Sequence, residues 1–148
     1  MKTTVTTGSR LLLGLIFFVF GLNGFLQFLP APALPESAMG FIGGLASSGY
    51  FFPVLKGTEV VAGLLLLTGV AAPLALVVLA PITLQIFLFH SILTPGLQNS
   101  VLPLVMIALH IASATAFWSL YRPLFKVRST ADEQEAARER LESIGRIA

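Results

Sequence analysis

Between Leu11 and Tyr121 only three side chains carry charge: Glu36, Lys56 and Glu59. That distribution constrains the fold more than any motif does. A soluble domain holds about 25% charged residues, whereas this chain of 148 residues holds 11% and is 55% hydrophobic. Nearly all the other charges fall in the first ten residues or after Tyr121, so the formal net charge of +2 describes the two ends. The middle of the chain cannot cover itself with polar surface, and its solvent is lipid. No basic patch is interleaved with aromatics, which argues against nucleic-acid binding. There is no cysteine, which removes disulfides, thiolate metal sites and any dithiol relay.

The apolar runs divide into four spans of about 20 residues, the length that crosses a ~30 Å hydrocarbon core. Leu11 to Leu29 is broken only by Asn23 and Gln27. A secretory signal, with Lys2 and Arg10 before it and Ala31-Pro32-Ala33 as a cleavage site, is the rival reading. The run exceeds the usual 7–15 residues of a signal h-region, which favours a retained helix. The other spans cover about 54–70, 74–93 and 101–120, with Pro81 as a kink inside the third. Gly69 and Pro73 mark one turn, and Thr94-Pro95-Gly96 with Gln98-Asn99-Ser100 marks another.

Pro30 to Pro53 carries too many prolines and glycines for a straight spanning helix, yet Ala38 to Ile42 and Gly49 to Phe52 are apolar. This stretch reads as a short interfacial or re-entrant segment between helices 1 and 2, with Tyr50 at headgroup level. Trp118 and Tyr121 anchor the inner end of the fourth span. Lys2 and Arg10 precede the first span; Arg122, Lys126 and Arg128 follow the last. An even number of spans puts these clusters on one side, which the positive-inside rule makes cytoplasmic. The expected fold is an all-α inner-membrane protein. It has a four-transmembrane-helix bundle at 1–128 and a cytoplasmic amphipathic helical tail at 129–148. Thr130 with Glu133 fits a capping box there, and Ala137, Leu141, Ile144 and Ala148 share a narrow apolar stripe, which suits a solvated helix packed weakly against the membrane surface; a docking helix for a partner is the alternative.

Polar groups in a hydrocarbon layer cost roughly 2.5–3.5 kcal/mol when ionised, so each needs a reason. Asn23 lies roughly 20 Å along the helix from Arg10, with Gln27 one turn further. Lys56 and Glu59 share a face near the start of the second span and can pair. Gln85 and His90 fall in the far half of the third. Asn23, Gln27, Lys56, Glu59, Gln85 and His90 therefore converge on the outer leaflet from three helices, and form the candidate ligand-binding set. Glu59, then His90, is the best candidate for chemistry, as a proton-handling or ligand-binding carboxylate and its partner; the bland alternative for Glu59 is a structural ion pair with Lys56 or a bond to Asn23. His110 sits mid-span, where a hydrogen bond to a neighbouring helix is the plainer role. The depths of His90 and His110 differ by roughly 10 Å, which disfavours them as paired haem ligands. Glu59 with His90 supplies two ligands, too few to define a metal site.

Asn23 and Gln27 suit interhelical contacts, and Gly14, Gly21 and Gly24 share one side of the first span, where they allow close helix approach. The phenylalanines, Phe17, Phe18, Phe20, Phe25 and Phe28 among them, suit packing or a slot for a flat ring such as a quinone.

The segments Arg10-Leu11-Leu12-Leu13-Gly14-Leu15-Ile16-Phe17, Phe20-Gly21-Leu22-Asn23-Gly24-Phe25, Ser48-Gly49-Tyr50, Leu55 to Gly63, Pro81-Ile82 and Phe87-Leu88-Phe89-His90 together resemble the DoxX family of small bacterial membrane proteins. The resemblance covers roughly Ser9 to Phe125. It implies a four-helix membrane bundle. It also implies kinship with a subunit of a thiosulfate:quinone oxidoreductase and with proteins of oxidative and thiol stress responses. The first functional expectation is thus a redox-associated membrane subunit that binds a quinone or anchors a soluble or membrane redox partner. A small oligomeric transporter using Glu59, and a non-catalytic scaffold, are the alternatives; a homo-oligomer is expected.

Overall fold

The computed structural model describes residues 2–30, 33–125 and 130–145. Every described element is helical: α1 Lys2–Leu26, α2 Glu36–Ala46, α3 Phe51–Thr68, α4 Ala72–Leu88 continuing as a π-helical turn Phe89–Leu93, α5 Leu97–Thr115, α6 Trp118–Tyr121, a 3-10 turn Arg122–Phe125, and α7 Thr130–Gly145. The chain divides into two compact units, Met1–Phe117 and Trp118–Ala148.

Four helices of the first unit are long and apolar enough to cross a membrane: Thr4–Leu26, Phe51–Thr68, Ala72–Leu93 and Leu97–Thr115. Their outward faces carry exposed Leu11, Leu12, Leu15, Val61, Leu64, Leu74, Val77, Leu84, Leu104 and Ile111. Apolar surface on that scale marks a face solvated by lipid.

The helix ends differ from expectation in ways that matter below. α1 stops at Leu26 because Gln27 adopts a left-handed backbone with φ 49°. The Asn23 carbonyl takes the Gln27 N–H at 2.9 Å, and Asn23 Oδ1 takes the Leu29 N–H at 2.7 Å. Asn23 therefore ties down the chain reversal that leads into Pro30. α3 ends at Gly69 with φ 82°, the left-handed position where glycine costs least. Gln98-Asn99-Ser100, expected as a loop, is the first turn of α5, opened by Gly96. Pro103 sits inside α5 and Pro81 inside α4.

In lipid, helices gain little by hiding apolar surface from one another, and close packing decides association. α1 and α3 run antiparallel with their backbones almost touching. A Cβ added to Gly63 would lie 2.6 Å from the Phe18 nitrogen, one on Gly14 3.0 Å from the Gly63 carbonyl, and one on Gly21 2.9 Å from the Val60 nitrogen. One on Gly24 would strike the Lys56 side chain at 2.4 Å. The glycine side of the first span is thus a helix seam, and Gly63 is its counterpart on α3.

Away from α2, the bundle is filled by Leu13, Phe17, Leu66, Ala72, Ala75, Leu76, Leu79 and Met106, all buried, with Phe117 packed against them. Arg10 donates to the Leu66 carbonyl at the end of α3, where carbonyls are otherwise orphaned and a cation complements the helix dipole. α2 is a short helix at the opposite end. Its Ala38 is fully buried, the Phe41 ring meets Phe89 at a tilt with centroids 6.0 Å apart, and Ser37 Oγ reaches the Leu93 carbonyl at 3.5 Å.

In the second unit, Trp118 stacks on Phe125 at 5.7 Å. Leu141 of α7 is exposed. Lys126 and Arg128, the side chains of the Thr130–Glu133 capping box, and Ile144 and Ala148 of the stripe lie outside the described residues or side chains.

Candidate functional site

At the α2 end the four long helices part around a cleft of about 990 Å³. Each wall follows from local sequence. α1 supplies Ile16, Phe17, Phe20 and Asn23 at successive turns, and the Gln27–Pro30 reversal forms the lip. α3 supplies Lys56 and Glu59, α4 and its π turn supply Ile86 and His90, α5 supplies Gln98, Asn99, Leu102, Pro103 and Met106, and α2 contributes Ile42. The volume lies at the upper end of the usual 300–1,000 Å³ range for small-molecule sites. Its mouth is amide-rich and its floor is apolar.

Lys56 Nζ lies 2.8 Å from Glu59 Oε2. The Glu59 side chain is 2% exposed and that of Lys56 25%. The pair places a carboxylate against the α1 seam, beside Gly21, and leaves the ammonium facing the cleft. A buried ionic pair is weak evidence for stability, since desolvation offsets much of the attraction; its position on a cavity wall is what makes it informative. The two charges cancel, so the wall is strongly polar without being net charged.

His90 Nδ1 lies 2.8 Å from the Ile86 carbonyl. The π turn that carries it is braced by Thr94 Oγ1 donating to the His90 carbonyl at 3.2 Å and by Asn99 Nδ2 donating to the Thr94 carbonyl at 2.9 Å. Single π turns inside helices are rare and recur at functional sites. The Phe89 ring meets the imidazole edge-on at 5.3 Å.

Of the six residues singled out from the sequence, five line the cleft: Asn23, Gln27, Lys56, Glu59 and His90. Gln85 does not. It is exposed on α4, because the face of α4 that meets the cleft carries Ile86 and His90, a turn apart. Gln27 reaches the cleft from the reversal and not from the helical face it was expected to share with Asn23. Asn23 is bonded to Leu29, so Glu59 has Lys56 and not Asn23 as its partner. Gln98 and Asn99 were missed; their helical start after Gly96 was hidden by a run of turn-forming residues.

His110 sits elsewhere. Its Nδ1 lies 3.0 Å from Thr83 Oγ1, whose hydroxyl donates to the Leu79 carbonyl at 2.9 Å. This joins α5 to α4 in the bundle interior. A second, shallower groove between α3 and α4 is lined by Pro53, Gly57, Val61, Leu65, Leu74 and Val78, with Thr58 its one polar side chain.

Comparison of the chain with family models, with curated proteins and with solved structures gives no match.

Proposed function

We propose that this chain is a redox-associated subunit of the bacterial inner membrane, DoxX-like in character, whose cleft receives a quinone. The observation that carries the reading is the cleft's mixed lining: a neutralised ion pair and an imidazole set among Ile16, Phe17, Phe20, Ile86 and Met106. A quinone is a flat apolar ring with oxygen atoms at opposite edges. It needs apolar walls with few, well-placed polar groups, the general pattern of cofactor sites. Lys56 keeps N–H donors beyond the one shared with Glu59, and can offer one to a ring oxygen. The chain contains no cysteine, so electrons come from a bound cofactor or a partner, and the protein's own part is to hold the ring and handle its protons.

Both termini are assigned to the cytoplasm on the placement of Lys2, Arg10, Arg122, Lys126 and Arg128. The cleft then opens in the outer half of the bilayer. Permeation is the weaker reading. Leu13, Leu66, Leu76 and Leu79, each at most 2% exposed, fill the bundle away from the cleft, which favours a one-ended binding site.

The test is mass spectrometry of what co-purifies with the detergent-extracted protein, for the native chain and for Glu59→Gln. The expected result is a stoichiometric quinone in the native sample and its loss in the variant at unchanged expression. Bulk lipid alone in both would overturn the quinone reading. Solute flux through proteoliposomes of the purified protein would revive the transporter.

A further inference from the structure

The orientation of His90 says more about the ligand than the cleft's shape does. The Ile86 carbonyl can only accept, so the 2.8 Å contact fixes the proton of that bond on Nδ1. In the neutral ring Nε2 is then an acceptor and nothing else. Nε2 has no hydrogen-bond partner among the described residues, and the imidazole meets the Phe89 ring edge-on. The atom is held ready, because Thr94 and Asn99 brace the turn that carries it. Across the cleft, α3 presents the opposite character. The Lys56 ammonium is donor only. On α3 the Lys56 ammonium is the donor, beside the Glu59 carboxylate that it neutralises, and on α4 His90 Nε2 is an acceptor with no partner among the described residues.

A carbonyl oxygen facing Nε2 would set two lone pairs against each other. A hydroxyl facing it would complete a hydrogen bond. We infer that the cleft selects a hydroxyl-bearing ring, the hydroquinone form over the quinone: its O–H donates to His90 Nε2 and its opposite oxygen accepts from Lys56 Nζ. This rests on the quinone reading above and adds to it the redox form that the resting site prefers.

The experiment measures equilibrium binding to the full chain in lipid nanodiscs, under anaerobic conditions, of three short-tailed ligands: a hydroquinone, the matching quinone, and the hydroquinone dimethyl ether, which keeps the ring and removes both O–H groups. The expected result is hydroquinone binding about ten-fold tighter than either of the others, the scale of a single well-made hydrogen bond. His90→Phe should bring that ratio to near one, chiefly by weakening hydroquinone binding. Equal affinities for hydroquinone and quinone in the native protein would overturn this inference and leave the quinone site standing. Binding of none of the three would overturn both. The native protein's three-ligand ratio needs no variant, so a poorly folding His90→Phe does not remove the test.

Discussion

The two ends of the helix bundle solve opposite problems with similar residues, and the two histidines show it. His110, in the interior, spends its Nδ1 on Thr83 of the neighbouring helix, and so joins α5 to α4. His90, at the cleft, spends its Nδ1 on its own helix and leaves Nε2 open. The same contrast runs through the charges. Arg10, at the closed end, caps the last carbonyls of α3. Lys56, at the cleft end, pairs with Glu59 but keeps a quarter of its surface exposed. In lipid an unpaired polar group is costly; away from the cleft Arg10, Thr83 and His110 are closed on a neighbouring helix, while at the cleft Lys56 and His90 face a cavity. The lesson is that partnership, more than residue type, separates scaffold from site.

That contrast can be broken most severely at the seam common to both ends. Gly63→Ala places a Cβ 2.6 Å from the Phe18 nitrogen and 2.9 Å from the Gly14 carbonyl, backbone atoms that cannot step aside. α1 and α3 must separate, at a cost of about 3 kcal/mol, read as a large drop in the thermal midpoint of the detergent-solubilised protein. Gly57→Ala, with nothing within 4 Å of the added carbon, should leave that midpoint unchanged; equal losses in both variants would remove the seam from the account.

At the cleft end, Lys56→Met strands the Glu59 carboxylate on a buried wall. Because Lys56 is partly exposed, the expected loss is about 2 kcal/mol, below that for breaking a fully buried pair. Adding Glu59→Gln should restore most of it. A double variant as unstable as Lys56→Met alone would show that the pair's burial is not what matters. In the interior, Thr83→Val and His110→Phe should each cost about 1 kcal/mol, the scale of an interhelical hydrogen bond in a membrane. Combined, they should cost little more than the larger single effect, since both remove one interaction. Of the polar substitutions, His90→Phe should cost least, within about 0.5 kcal/mol, because only a bond within its own helix is lost.

Hydropathy alone outlined four long apolar helices, since their outer faces answer to lipid and carry little else. The punctuation was also readable: the Pro30–Pro53 stretch could not be a straight span, and it holds the short α2 instead. The Gly14–Gly21–Gly24 side was legible as a contact face because small residues at helical spacing have few other uses in lipid. What stayed hidden depends on a few backbone angles and on neighbours distant in sequence. Gln27 leaves the helix through one left-handed residue. Gln98 and Asn99 begin α5, although each type more often marks a loop. Gln85 is as polar as His90 and close to it in the chain, but lies on another face of α4. The π turn at Phe89–Leu93, which re-aims His90, has no signature in residue type at all.

On the proposed reading a ring ligand sits in the mixed-polarity cleft and not in the groove between α3 and α4. Photo-crosslinking with an azido-quinone in nanodiscs, followed by peptide mapping, tests it most directly. The account predicts label on peptides carrying Phe17 to Gln27 and His90 to Met106, displaced by excess unmodified hydroquinone. Label confined to peptides carrying Gly57 to Leu65 and Leu74 to Val78, or spread evenly over the lipid-facing surface without displacement, would contradict it.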